Sequence, residues 1–288
     1  MEGPDAPPAL KYEPTAPWWL SGTPLVDEHL KLMHARRKPI PWRESTASSL
    51  TDAERVLLAD TWRRRSQAEF LAISTFAVLS MDLCAARAPA DVLSLTHRAA
   101  IDEVRHAELC ARLASIYSGR DELPPPGLSD LPDDPKRPKR DQAVANALLV
   151  SCVAETVATV VLATVRQDVE DPVVDAVLEQ LYADEVQHAR LGWAYLAANV
   201  RDGGDRFREV AAEMIPIAVA GAANVVDKPK PEDPSSPRLK AHGFVTPTEE
   251  RELFAKTVKE VLAPGFEAQG IPIGGLVDAY GAEWVARR

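Results

Sequence analysis

Four stretches of the chain repeat apolar residues at alternating spacings of four and three, the period of a helix with one buried face. The first opens at Thr51 or Asp52, residues suited to an N-cap, and runs to about Arg87, before Pro89. Its stripe reads Trp62, Ser66, Glu69, Ile73, Phe76, Ser80 and Leu83. The second covers about 90–118 and stops at Gly119, with the stripe Val92, Thr96, Ala99, Glu103, His106, Cys110, Leu113 and Tyr117. The third covers about 141–170 through Leu148, Cys152, Glu155, Thr159 and Leu162. Its Ala, Val and Thr on all sides predict a central helix. The fourth starts at Asp171-Pro172, an N-cap with proline at the first helical position. It carries Val174, Leu178, Leu181, Glu185, His188, Gly192 and Tyr195 to about Arg201, and Gly203-Gly204 breaks it.

Residues 119–140, made of Pro, Gly and charges, exceed the usual helix–helix connection and are long enough to cross the length of a bundle. Beyond 203 a fifth helix at about 205–225 contains Pro216, which predicts a kink or a split. Residues 227–237 read as a linker, and Thr246-Pro247-Thr248-Glu249 has capping-box spacing and opens a last helix to about Leu262. Prolines make 1–50 extended or irregular, apart from a short turn at 25–35. The Trp18-Trp19 pair is expected to wrap onto the bundle, with a partner interface as the alternative. The expectation is an all-α protein: a Pro-rich extension at 1–50, a four-helix bundle at 51–202, and C-terminal helices with a linker at 203–288 packed on or beside it.

Composition narrows the function classes. Against 33 basic residues stand 43 acidic ones, a net charge of -10, which disfavours a nucleic-acid partner. Cys84, Cys110 and Cys152 form no Cys-x-x-Cys pair, so neither a disulfide framework nor a rubredoxin-type iron site is supported. The first residues lack the basic and apolar regions of a secretory signal. No run of uninterrupted apolar residues reaches membrane-spanning length, Asn146, Ser151 and Glu155 interrupting the most apolar stretch, so no membrane and a cytoplasmic location are expected.

The chemistry lies in the stripes themselves. In order they carry Glu69, Glu103 with His106, Glu155, and Glu185 with His188. Residues three apart share one helix face, so each Glu-x-x-His offers a carboxylate and an imidazole in one direction. Chance predicts about half a Glu-x-x-His in a chain of this composition; two occur, both on core faces. Four carboxylates buried without partners would cost several kcal/mol each, whereas two divalent cations would balance them. One Glu from each of two helices plus one Glu-x-x-His from each of two others is the ligand set of two metal ions bridged by carboxylates. Both motifs read Asp-Glu-x-x-His. Asp102 and Asp184 are thus candidates to accept the free N–H of a ligating imidazole, with a solvent-facing charge as the alternative.

Over residues 52–201 the chain resembles the ferritin-like di-iron carboxylate superfamily, which implies a ferritin-like four-helix bundle with its long crossover between helices 2 and 3. Carried onto this chain, the resemblance makes Glu69 and Glu155 the single-helix ligands, and Glu103, His106, Glu185 and His188 the paired ones. Glu103 and one of the later glutamates would bridge. Cys110 stands one turn after His106, where the radical-generating subunit of ribonucleotide reductase keeps its tyrosine, which argues against a stable tyrosyl radical. With Thr159 one turn after Glu155, it is similar to the oxygen-activating pocket of methane monooxygenase hydroxylase. Small residues filling a core are the alternative. The extra histidine of the arylamine N-oxygenases would fall at Leu181, and rubrerythrin's rubredoxin cysteines are missing.

The resemblance implies two Fe ions, with Mn as an alternative, and no other cofactor. It implies O2 and a small organic molecule as substrates of a di-iron oxidase or oxygenase. No flavin or nicotinamide fingerprint is visible, so an external electron donor is expected, and a homodimer is an option. Three other readings stay open: a ferroxidase or iron-handling protein, a dimanganese or di-iron enzyme that consumes peroxide, and a metal-free helical interaction module.

Overall fold

The computed structural model describes residues 24–34, 37–128, 131–226, 236–273 and 275–286. The expectations for Trp18-Trp19 and for most of the 227–237 linker lie outside them. The described residues are all-α, without strands. A short helix α1 (Leu25–His34) and an irregular segment precede α2 (Asp52–Ala85). The latter opens on a capping box in which the Glu54 N–H donates to the Thr51 hydroxyl and the Thr51 N–H donates to Glu54. Helix α3 (Ala90–Ser118) ends on Gly119, whose φ of 70° gives the left-handed C-terminal cap that glycine adopts freely.

The third apolar stripe is not one uniform helix. It begins as α4 (Lys139–Ala147), widens into a π-helical segment over Leu148–Ala154, and returns to α geometry as α5 (Glu155–Val165). Apolar periodicity is nearly the same for the two windings, so the sequence pattern does not separate them. Helix α6 (Pro172–Gly203) is capped by Asp171, one oxygen of which accepts the N–H groups of Val173 and Val174. The other oxygen accepts the Thr46 N–H at 2.7 Å and ties the N-terminal segment to this end.

Helix α7 (Asp205–Val226) contains Pro216 and runs on as one element. After it come α8 (Pro237–Lys240), α9 (Pro247–Thr257), a second π segment at Val258–Leu262, and α10 (Ala263–Glu267). Phe254, Val258, Leu262 and Phe266 from this region are buried in the same apolar cluster as residues of α7.

Two apolar cores form. One gathers Phe76, Leu79 and Leu83 of α2 with Leu148, Tyr195 and α7; the other gathers Trp62 of α2 with Leu113, Tyr117, Leu178 and Phe244. In each helix the charged positions of the inward stripe fall between these cores, so a polar layer is sandwiched by packed hydrocarbon. Helices α2 and α3 pack along their length, α3 meets α6, and α6 lies against the π segment and α5. At its C-terminal half α2 leans on α4, where Asn146 donates to Asp82 at 2.7 Å. By length and composition alone, Asp52–Ala85, Lys139–Asp168 and Asp205–Val226 are each apolar enough to cross a membrane, despite the interrupting polar residues noted in the sequence.

Candidate metal centre

Glu69, Glu103, His106, Glu155, Glu185 and His188 meet in the layer between the cores. Glu103, His106, Glu155, Glu185 and His188 are buried, while the Glu69 side chain keeps 15 % of its surface exposed. Local packing sets the heights. The Ser66 hydroxyl donates to the Ala107 carbonyl at 2.8 Å, which fixes α2 against α3 one turn from Glu69. Gly192 lets α6 approach the π segment: a Cβ built on it would stand 2.4 Å from the Ser151 Cβ and 2.7 Å from the Cys152 nitrogen. That close approach places Glu185 and His188 beside Glu155. Segments of π-helix inside α-helices are frequent at functional sites, and this one ends immediately before Glu155.

The donor atoms form two overlapping groups. Glu69, Glu103, His106 and Glu185 offer one set and Glu103, Glu155, Glu185 and His188 the other, with the ligand atoms of each set within 4.8 Å of one another. Glu103 and Glu185 belong to both, the placement required of bridging carboxylates. The His106 Nδ1 lies 3.1 Å from Glu185 and 3.8 Å from Glu69; the His188 Nδ1 lies 3.0 Å from Glu103 and 3.0 Å from Glu185. Both Glu103 oxygens and the His106 Nδ1 are nonetheless buried without a hydrogen-bond partner, although protein interiors seldom leave such atoms unsatisfied. Converging, unsatisfied oxygen and imidazole donors fit a pair of divalent cations. They could hold a metal ion; the donor set does not choose its identity.

Electrostatics point the same way. Burial raises the Glu69 carboxyl well above the usual range, and Glu103 and Glu185 add to the shift; burial and Glu185 do the same to Glu155. Burial would raise Glu185 also, yet the imidazoles of His106 and His188, both close against it, hold it well below. Burial opposes charge on His106, but Glu103 and the bond to Asp184 outweigh it and raise the imidazole well above its ordinary value. Without cations the layer would therefore take up protons to balance its carboxylates, and metal binding would release them.

The outer faces of the imidazoles meet the two aspartates across the α3–α6 interface. The His106 Nε2 stands 3.1 Å from Asp184, and the His188 Nε2 3.7 Å from Asp102. With its Nε2 proton directed at Asp184, His106 presents the Nδ1 lone pair to the carboxylates, an orientation suited to ligation, whereas the His188 Nε2 makes no hydrogen bond and its Nδ1 is hydrogen-bonded to Glu185 at 3.0 Å. Burial pushes Asp184 up, but the His106 bond and the charges of His106, Arg105 and Arg37 hold it at about 2. Buried Arg105 pairs with Asp184 and donates to Gln180, whose amide donates to the Lys38 carbonyl at 2.9 Å. The Arg37 guanidinium spans both aspartates, 3.2 Å from Asp102 and 2.5 Å from Asp184.

Arg37 is the residue that sequence reasoning missed. It lies in a basic, proline-containing stretch with no periodicity, and only the fold brings it to the aspartates. Cys110 is fully buried, and the charges of Glu69, Glu103 and Glu185 help to push its thiol up, after burial itself. Thr159 is half-buried and its hydroxyl donates back to the Glu155 carbonyl at 2.7 Å, so this proton is committed within α5. Comparison with known protein families, with curated proteins and with solved structures returns no match to this chain.

Proposed function

We propose that this chain is a ferritin-like, non-haem di-iron oxidase or oxygenase that uses O2 to oxidise a small organic substrate. The observation that carries the reading is the sharing of Glu103 and Glu185 between two donor groups, each completed by one histidine and one further glutamate. Two iron ions there would supply the coupling of O2 reduction to substrate oxidation. Glu103 and Glu185 would bridge them, with Glu69 and His106 on one side and Glu155 and His188 on the other.

The chain's own part is geometry and exclusion of water. Asp184, clamped by Arg37 and Arg105, would hold His106 in one tautomer, and Asp102 stands behind His188. The apolar cores close the layer above and below. The half-buried Ile73 and Thr159 lie one turn beyond Glu69 and Glu155, in stripe register with them. Burial of five of the six candidate ligands keeps bulk water from the layer, which suits reaction with O2 better than the uptake of hydrated Fe(II) and favours the oxygenase over an iron-storage role.

Metal analysis of anaerobically purified protein, followed by stopped-flow absorbance on mixing the ferrous form with O2, tests the reading. The expected result is about two Fe per chain and a transient visible band that decays faster when the right substrate class is present. Failure to bind metal, with no difference between the parent and Glu103→Ala or Glu185→Ala chains, would refute it. Oxygen evolution from peroxide with bound Mn would favour the catalase-type alternative.

A further inference from the structure

Arg37 opens a segment that follows α6 backwards from the two aspartates to the N-cap of that helix. Its first hold is on Asp184 and Asp102. Next, the Lys38 carbonyl accepts the Gln180 amide at 2.9 Å, and the Lys38 ammonium pairs with the exposed Glu179 at 2.9 Å. Trp42 then lies under the Arg112 guanidinium of α3, 3.9 Å from the ring centre. At the far end the Thr46 N–H and hydroxyl both donate to Asp171, and Ala47 and Leu50 are buried in the core around Trp62. Asp171 and Asp184 stand thirteen positions apart, roughly 20 Å along the helix axis. The nine steps from Arg37 to Thr46 reach roughly 30 Å when fully extended, so the segment spans that distance as an open strap.

Pro39 and Pro41 suit such a strap. Each fixes its own φ, disfavours helix in the residue before it and leaves no N–H to satisfy, so little freedom is lost on docking. The two ends are held unequally. The far end enters a core, whereas Lys38 and Pro39 at the near end are exposed. A segment held in this way can lift locally while the fold persists.

The near end holds what the metal layer depends on. One nitrogen of Arg37, Nη2, reaches both aspartates, so like charges from α3 and α6 share a single cation. Arg98 pairs with Asp102 and Arg105 with Asp184; among the described residues Arg37 alone pairs with both. On Asp184, Arg37 takes Oδ1 at 2.5 Å, while Arg105 and, at 3.1 Å, the His106 Nε2 share Oδ2. Holding Oδ1 keeps the carboxylate from turning, and Oδ2 stays aimed at the imidazole. Lifting the strap ends this hold and leaves two buried carboxylates to repel each other.

We propose that residues 37–46 are a strap that regulates the metal layer: its docking along α6 and the occupancy of the layer are coupled through Arg37, each favouring the other. The inference rests on the metal reading of the layer, whichever divalent ion it takes. Such coupling is reciprocal, so the factor that Arg37 contributes to cation affinity is returned by the cation to docking of the strap.

The test uses the full-length chain, metal-free and loaded with Mn(II). Calorimetry reads Mn(II) affinity, and amide hydrogen exchange reads the strap in peptides spanning 38–44. In the parent, Mn(II) is expected to slow exchange across 38–44 by about tenfold. Arg37→Ala is expected to weaken Mn(II) binding by about tenfold and to abolish the metal-dependent slowing. Lys38→Ala removes only the exposed pair with Glu179 and should keep the parent affinity. A merely structural arginine would instead change exchange equally with and without the ion. Equal Mn(II) affinity in the parent and Arg37→Ala chains would overturn the coupling and leave the metal reading in place. So would exchange across 38–44 that ignores the ion in a parent chain that binds it. A parent chain that binds no Mn(II) would refute the metal reading and this inference with it.

Discussion

One chemical change at two helical glycines should move stability in opposite directions. A Cβ on Gly192 would meet Ser151 Cβ at 2.4 Å, Cys152 N at 2.7 Å and Ser151 C at 2.8 Å, whereas a Cβ on the exposed Gly221 of α7 would meet nothing within 4 Å. Non-bonded carbons prefer about 3.5–4.0 Å, so alanine at 192 forces α6 and the π segment apart by roughly 1 Å. Two of the three atoms are backbone and cannot rotate away. Overpacking of this kind costs about 1–3 kcal/mol, and the better helix propensity of alanine returns about 1 kcal/mol. With the penalty at its upper end, the net loss at Gly192→Ala is about 2 kcal/mol, while Gly221→Ala gains up to about 1 kcal/mol. For a chain of this size calorimetry should then show a fall of roughly 4–6 °C for the first and a rise of roughly 2–3 °C for the second. Because Ser151 and Cys152 lie one turn before Glu155, Gly192→Ala should also weaken metal binding by about tenfold or more. A Gly192→Ala protein melting at or above the parent temperature would refute the close approach of α6 to the π segment.

Other outcomes follow from the charges. Glu69 is pushed toward its protonated form, so Glu69→Gln should leave metal-free melting equal or higher while removing the stabilisation by Mn(II), about 2.7 kcal/mol at a hundredfold excess over Kd. Calorimetry with and without the ion separates the two. Arg105→Ala leaves Asp184 and Gln180 short of a buried partner and should cost about 3 kcal/mol in urea unfolding. His242 is buried against Tyr117 and Thr46, and burial lowers its imidazole below the ordinary histidine value. The unfolded chain therefore binds this proton first, and the parent should lose stability as pH falls from about 6.5 toward the lowered folded value. His242→Gln should flatten that part of the melting-temperature profile; an unchanged slope would assign the pH dependence elsewhere.

The polar layer was legible because Glu69, Glu103 and Glu185 interrupt otherwise apolar stripes, and a charge in a stripe has few reasons to be there. Helix ends were legible where chemistry marks them: the Thr51 capping box, Asp171-Pro172 and Gly119. Arg37 was not, since a side chain from an irregular segment leaves no periodic trace and its partners stand 65 and 147 residues away. The half-burial of Ile73 and Thr159 was hidden for a related reason. Ile73 and Thr159 carry the inward register of their helices, but register does not say how far apart two inward faces stand. Gly192 could be placed on the inward face of its helix, yet the need for glycine arises from a backbone 41 positions earlier in the chain.

The π segment at Leu148–Ala154 acts as a vernier between two sets of fixed marks. Upstream, Asn146 is keyed to Asp82; downstream, the Thr156 hydroxyl receives the Trp193 indole N–H at 3.0 Å. A straight α-helix advances about 100° per residue, so with its fixed number of intervening residues it could not serve both keys. The π winding absorbs the mismatch. If the segment tightened to α winding at unchanged length, Glu155 would swing out of the layer while the upstream packing stayed in place; with one residue fewer, α winding would leave Glu155 facing inward. The segment thus takes up one residue more than an α-helix would need between its two keys, and a loss at this point is tolerated without rebuilding either core.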